Sequence, residues 1–149
     1  MVYFKFRALF LIAITFLSGV LYAQNEEDVL RERLNSTHDQ DKIYAYIALG
    51  EYYGQTSGVG DSAVFYGNDA LRISNRLKNP DLSALALSLK GLGYATNKDY
   101  NSAKEFLQEG IDLVKNSNKN YILAELHTRI ASVYENLNEL NVKFIMYYD

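Results

Sequence analysis

The feature that most constrains this chain is that it resembles itself. Gly50 and Gly91 lie 41 residues apart and Ala131 follows 40 later; Tyr53, Tyr94 and Tyr134 each stand three residues after that small residue. Ala63 and Ala103 are 40 apart, Asp61-Ser62-Ala63 matches Asn101-Ser102-Ala103, and Tyr66-Gly67 matches Phe106-Leu107. A fixed period of this length describes a stacked unit, because one such unit cannot bury its own apolar face.

Each unit reads as two helices. Ile43, Tyr46, Ile47, Gly50 and Tyr53 fall on one helical face, as do Leu123, Leu126, Ile130, Val133 and Leu137. Asn79-Pro80-Asp81 is a helix start: a capping side chain, a proline in the first turn and an acid near the positive end of the dipole. The stretch "SALALSLKGLGYATNKDYNSAKEF", residues 83–106, then has a single reading. Its alternating Leu85, Leu87 and Leu89 before Gly91-Leu92-Gly93 imitate a strand and a dinucleotide-binding loop. The third glycine of that loop would stand at position 96, which is Thr96. The period makes the stretch the first helix of the second unit, with Gly91 and Ala103 where two helix axes approach.

A Leu-Gly, an aromatic three residues on, then an Ala and an aromatic resembles the tetratricopeptide repeat. The residues are "LGEYY" with "DSAVFYGNDAL" within 49–71, "KGLGYATNKDYNSAKEFLQEGI" at 90–111 and "IASVYENLNEL" from Ile130. "NKDYNSA" is similar to the family's inter-helix turn. The resemblance covers about residues 42–149. It implies an all-α, right-handed α-solenoid of antiparallel helix pairs, about two and a half repeats. The chain departs from the family in period, about 40 against 34. Pro80 sits farther from Ala63 than the closing proline would, Lys90 stands where Leu is usual, Gly110 replaces the second Ala, and Lys143 replaces the Ala of the last unit. This long-period form resembles the exported sensor regions of bacterial histidine kinases and helix-repeat regulators.

The resemblance also implies a concave binding face, and the register assigns it to Tyr44, Ile47, Glu51, Ser88, Leu92, Glu125, Thr128, Ser132 and Glu135. Family members that clamp a peptide's terminal carboxylate use Lys and Asn there. This chain has Ile47, Glu51 and Glu125 at the matching places, which argues against capture of a terminal carboxylate.

Nothing in the sequence assembles a catalytic centre. The segment Gly54-Gln55-Thr56-Ser57-Gly58-Val59-Gly60 imitates a phosphate cradle but lacks the Lys-Ser or Lys-Thr that follows one, and reads as a flexible turn. Gly60-Asp61-Ser62 imitates an esterase nucleophile block, yet Ser62 stands where the next unit has Ser102 at a helix start, and only His38 and His127 could act as base. His38-Asp39-Gln40-Asp41 has no second ligand cluster to close a metal site and reads as a polar connector. His127 reads as a half-buried packing residue. The expectation is a non-enzyme with no cofactor and no metal.

The ends carry a location and a liability. Residues 1–23 have Lys5 and Arg7, then the uncharged run "ALFLIAITFLSGV", then a small residue at Ala23, which together form a signal peptide. Leu21 is larger than a cleavage site prefers, so an uncleaved anchor is the alternative. The remaining 126 residues keep all 18 acids and 13 of the 15 bases, a net charge of −5 that disfavours nucleic acid. Residues 24–41 read as a short leading helix, about Glu26 to Asn35, and a connector. At the far end "NELNVKFIMYYD" begins a helix and places Phe144 to Tyr148 together, so the repeat array is expected to be truncated and to self-associate there. The chain is thus expected to be an exported, periplasmic or secreted module binding a protein or peptide. The alternative is the sensory portion of a larger histidine kinase or transcriptional regulator.

Overall fold

The structure is a computed structural model that describes residues 27–137, and these are all-α. Residues 27–33 form α1, followed by α2 (Asp39–Glu51), which passes into a π-turn at Tyr52–Thr56. Then come α3 (Gly60–Arg76), α4 (Pro80–Thr96), α5 (Tyr100–Val114) and α6 (Asn120–Asn136). The alternating leucines of residues 85–89 and both following glycines lie inside α4, and no strand occurs among the described residues. Residues 1–26, with the expected signal peptide, and residues 138–149, with Lys143 and the expected self-associating end, lie outside the described residues.

Short turns set the helix directions. α3 ends in a left-handed residue, Lys78 (φ 53°), with Asn79 N–H donating to Ser74 O and Lys78 N–H to Asn75 O. Asn79 then caps α4, its Oδ1 accepting from Leu82 N–H at 3.2 Å, with Pro80 in the first turn. α4 ends the same way: Lys98 is left-handed (φ 63°), Asp99 N–H reaches Tyr94 O, and Lys98 N–H reaches Ala95 O. Asp99 caps α5 by accepting from both the N–H and the hydroxyl of Ser102. In each turn one residue closes a helix and opens the next, which reverses the chain within three residues.

The segment expected to be one long flexible turn is non-helical only at residues 57–59, between the π-turn and α3. Gly54 is buried in the π-turn against Ala63 and Leu92, and Gly60 opens α3 with its Cα against Gly93 and Asn97. Only Gly58 uses a positive φ, 65°. Of His38 to Asp41, only His38 belongs to the connector: α2 begins at Asp39, so that Asp39 and Asp41 stand in its first turn at the positive helix end.

α3 and α4 run antiparallel, with Gly60 beside Gly93 at one end and Ser74 bonded to Ser83 at the other. α4 and α5 are antiparallel too, with Gly91 against Leu107 and Gly110 near Ala84. α2, α4 and α6 touch one another in sequence and run parallel: Gly50 meets Leu89, and Asp81 and Ser88 meet Lys119 and Glu125. The core lies between these helices, in clusters around Leu49, Ala63 and Leu89, around Ile43, Ala70 and Ala86, and around Ala103, Leu107, Leu126 and Ile130.

Two aromatic stacks recur. Tyr53 stacks on Tyr66 with ring centroids 5.8 Å apart, and Tyr94 on Phe106 at 5.2 Å. The pairs are offset by 41 and 40 residues. Lys90 is accommodated beside the second stack: its stem lies against Gly67 of α3 and its ammonium sits 3.8 Å from the Phe106 ring centroid. α1 closes the other end, where Tyr53 donates to Glu27 at 2.6 Å and accepts from Arg31 at 3.0 Å.

Candidate binding surface

The nine residues assigned to a concave face separate into three groups. Ser88 is fully buried, in the contact between α4 and α6, where its hydroxyl donates to Glu125 Oε1 at 2.8 Å. It therefore cannot meet a partner directly. Ile47 and Leu92 are partly buried and pack on the core clusters. Tyr44, Thr128, Ser132 and Glu135 are exposed, and Glu51 and Glu125 are intermediate.

Glu51 and Glu125, the latter also the acceptor of Ser88, are brought together by Arg129, which no motif or spacing in the sequence singles out. Arg129 Nη2 lies 2.7 Å from Glu51 Oε1 and 3.0 Å from Glu125 Oε1, and its Nε donates to that same Glu125 oxygen. The Glu51 contact joins α2 to α6 across the face of α4, between residues 78 apart in sequence. The Arg129 side chain is 15% exposed, whereas those of Glu51 and Glu125 are 38% and 34% exposed. A guanidinium this enclosed needs its partners, because removing them would leave a desolvated charge.

Beyond Arg129 the surface opens into a cleft of about 260 Å³. Its floor is apolar (Gly91, Leu92, Ala95, Leu107 and Val133), and its rim carries Thr96, Tyr100, Ser132 and Asn136. Tyr100 donates to Asn136 Oδ1, Asn136 Nδ2 donates to Ser132 O, and Thr96 donates to Leu92 O and Gly54 O. The lining holds no acid, and Arg129 is its one charged residue among the described residues. At the other end of the same helices, Lys119 Nζ bridges to Asp81 Oδ2 at 3.0 Å, which holds the Lys119 ammonium above the usual lysine range.

The other candidate chemistries find local structural roles. Asp61 accepts from Asn97 Nδ2 at 2.7 Å, tying the start of α3 to the end of α4, and Ser62 lies in the first turn of α3. Asp39 pairs with Arg76 at 2.6 Å and Asp41 with Ser36. Among the described residues no group of three or more His, Asp or Glu is placed to hold a metal ion. His127 is half-buried, and burial lowers its pKa below the ordinary imidazole value. Among the described residues no helix is long and apolar enough to cross a membrane. No protein-family profile, curated protein or solved structure matches the chain.

Proposed function

We propose that this protein is an exported, non-catalytic interaction module, a right-handed solenoid of tetratricopeptide-like helix pairs that holds a protein or peptide partner along the face shared by α2, α4 and α6. The observation that carries this reading is the recurrence of the aromatic stack. Tyr53 on Tyr66 and Tyr94 on Phe106 occupy equivalent places in two successive helix pairs. Repeated pairs of this kind offer an extended surface and no closed pocket for chemistry, and binding rests on shape and a few anchors. Gly58 and Lys98, 40 residues apart, both take a left-handed conformation at the turn inside a pair, which supports the same reading.

A photo-crosslinking amino acid placed at Thr128, compared with one at the outward Glu105, tests it in the producing cell. A discrete adduct from position 128 and none from 105 is the expected result. Adducts from 105 alone, or from neither position, would count against a partner on this face.

A further inference from the structure

The Glu51–Arg129–Glu125 cluster and the cleft beside it specify what kind of segment this face accepts, given the interaction role just proposed. We infer that the face takes an extended, positively charged peptide segment: a lysine or arginine side chain seats on the free oxygens of Glu51 and Glu125, and a neighbouring apolar side chain enters the cleft past Arg129.

Three observations converge on that occupant. The first is charge. One guanidinium serves two carboxylates, so the cluster retains a net charge of −1, and Glu135 on α6 adds another exposed acid. A second cation completes an alternating arrangement of two positive and two negative groups. An arriving carboxylate would instead put three acids around one guanidinium, and like charges at that spacing repel.

The second is hydrogen-bonding capacity. Every contact made by these carboxylates goes to Oε1: Arg129 on Glu51, and Arg129 with Ser88 on Glu125. The two Oε2 atoms accept no hydrogen bond from the described residues, and both side chains are about one-third exposed. A carboxylate oxygen in that state is a ready acceptor for an ammonium or guanidinium donor.

The third is shape. Glu51 and Arg129 touch at 2.7 Å across the face of α4, so at that level the gap between α2 and α6 is closed to a helix about 10 Å wide. An extended strand of peptide passes over the pair without breaking it. The cleft beyond has an apolar floor formed by Leu92, Ala95, Leu107 and Val133, with room for one bulky apolar side chain.

The test uses the full chain, isotope-labelled, titrated with two blocked dipeptides: acetyl-Leu-Arg-amide and acetyl-Leu-Glu-amide. The expected result is that the basic probe shifts the backbone amides of Ala95, Ser132 and Asn136 while the acidic probe does not. Glu51→Gln should then weaken the basic probe about threefold or more, and Glu105→Gln, far from the cluster, should leave it unchanged. Circular dichroism and the urea midpoint of each variant establish that the fold is intact. Equal or tighter binding of the acidic probe overturns the inference, as does binding insensitive to Glu51→Gln, or no shift with either probe. Each of these outcomes can coexist with a positive crosslink at position 128, so the charge assignment fails separately from the interaction role.

Discussion

Leu107 fills the space in which a Cβ on Gly91 would lie, its Cγ 2.5 Å from that point. Leu107 is fully buried, so it has little freedom to move aside. Gly91→Ala gains roughly 1 kcal/mol of helix propensity and meets an overpacking cost of about 1–3 kcal/mol. The expected net effect is a lower urea midpoint. In a Leu107→Ala background the obstruction is gone, and the same Gly91→Ala change should become neutral or stabilising. Additive costs in the two backgrounds would mean that the two residues are not in contact.

The close approach at Gly91 was legible because a glycine in the middle of an apolar helical face weakens its own helix, a cost that close packing of a second helix offsets. The start of α4 was legible for a similar reason, since Asn79-Pro80 satisfies the first-turn donors locally. Arg129 was not. On a helix of 3.6 residues per turn, Glu125 is followed on its face by position 128 or by position 129, and the sequence does not choose. The assigned face includes Thr128 and Glu135, which are exposed, but omits Arg129 and Asn136, which line the cleft beside α4. Ser88 was placed at the surface for the same reason: a serine within an apolar helix reads as exposed unless its buried acceptor, Glu125, is known. The π-turn at Tyr52–Thr56 also leaves no local mark in the sequence; Gly54 within it packs closely on Ala63 and Leu92.

The two lysine turns predict a gain in stability. Lys98 adopts a φ of 63° at an exposed position, a conformation that costs a side chain about 1 kcal/mol relative to glycine. Lys98→Gly removes that strain and loses some of the benefit to the greater freedom of glycine in the unfolded chain. Stability should rise by about 0.5 kcal/mol, read from the urea midpoint. Gly58→Ala is the mirror experiment. At φ 65°, with nothing within 4 Å of a new Cβ, its cost of about 1 kcal/mol should come from the backbone alone. A destabilised Lys98→Gly would show that this lysine's side chain makes a contribution that its exposure hides.

Lys90 predicts a pH dependence. Burial lowers its pKa below 10.5, an effect partly opposed by Glu109. In the window between the lowered value and 10.5 the unfolded chain binds the proton more readily than the folded one, so stability rises with pH there. Lys90→Met keeps the stem over Gly67 and removes the titrating group. The difference in unfolding free energy between wild type and Lys90→Met should therefore shift in favour of wild type as pH increases toward about 10. A pH-independent difference would mean that the ammonium over Phe106 carries no desolvation penalty.

The Arg129 cluster predicts a coupling energy. Removing Glu51 leaves Arg129 with Glu125, so Glu51→Gln should cost little, about 0.5–1 kcal/mol for a partly exposed pair. Removing Arg129 leaves Glu51 without its cationic donor and Glu125 with the Ser88 hydroxyl alone. Arg129→Gln should cost more, about 2 kcal/mol, because the arginine is the enclosed member. The double variant relieves the repulsion that Arg129→Gln creates between Glu51 and Glu125, so the two costs should sum to more than the double variant loses. A coupling of about 1 kcal/mol is expected, measured by urea unfolding of the four proteins in low salt. The coupling should shrink less with added salt than that of the exposed Lys115–Asp112 pair, whose side chains are both more than half exposed. If the four unfolding free energies are additive, α2 and α6 are not joined by this contact, and the face of α4 is wide enough to admit a helix.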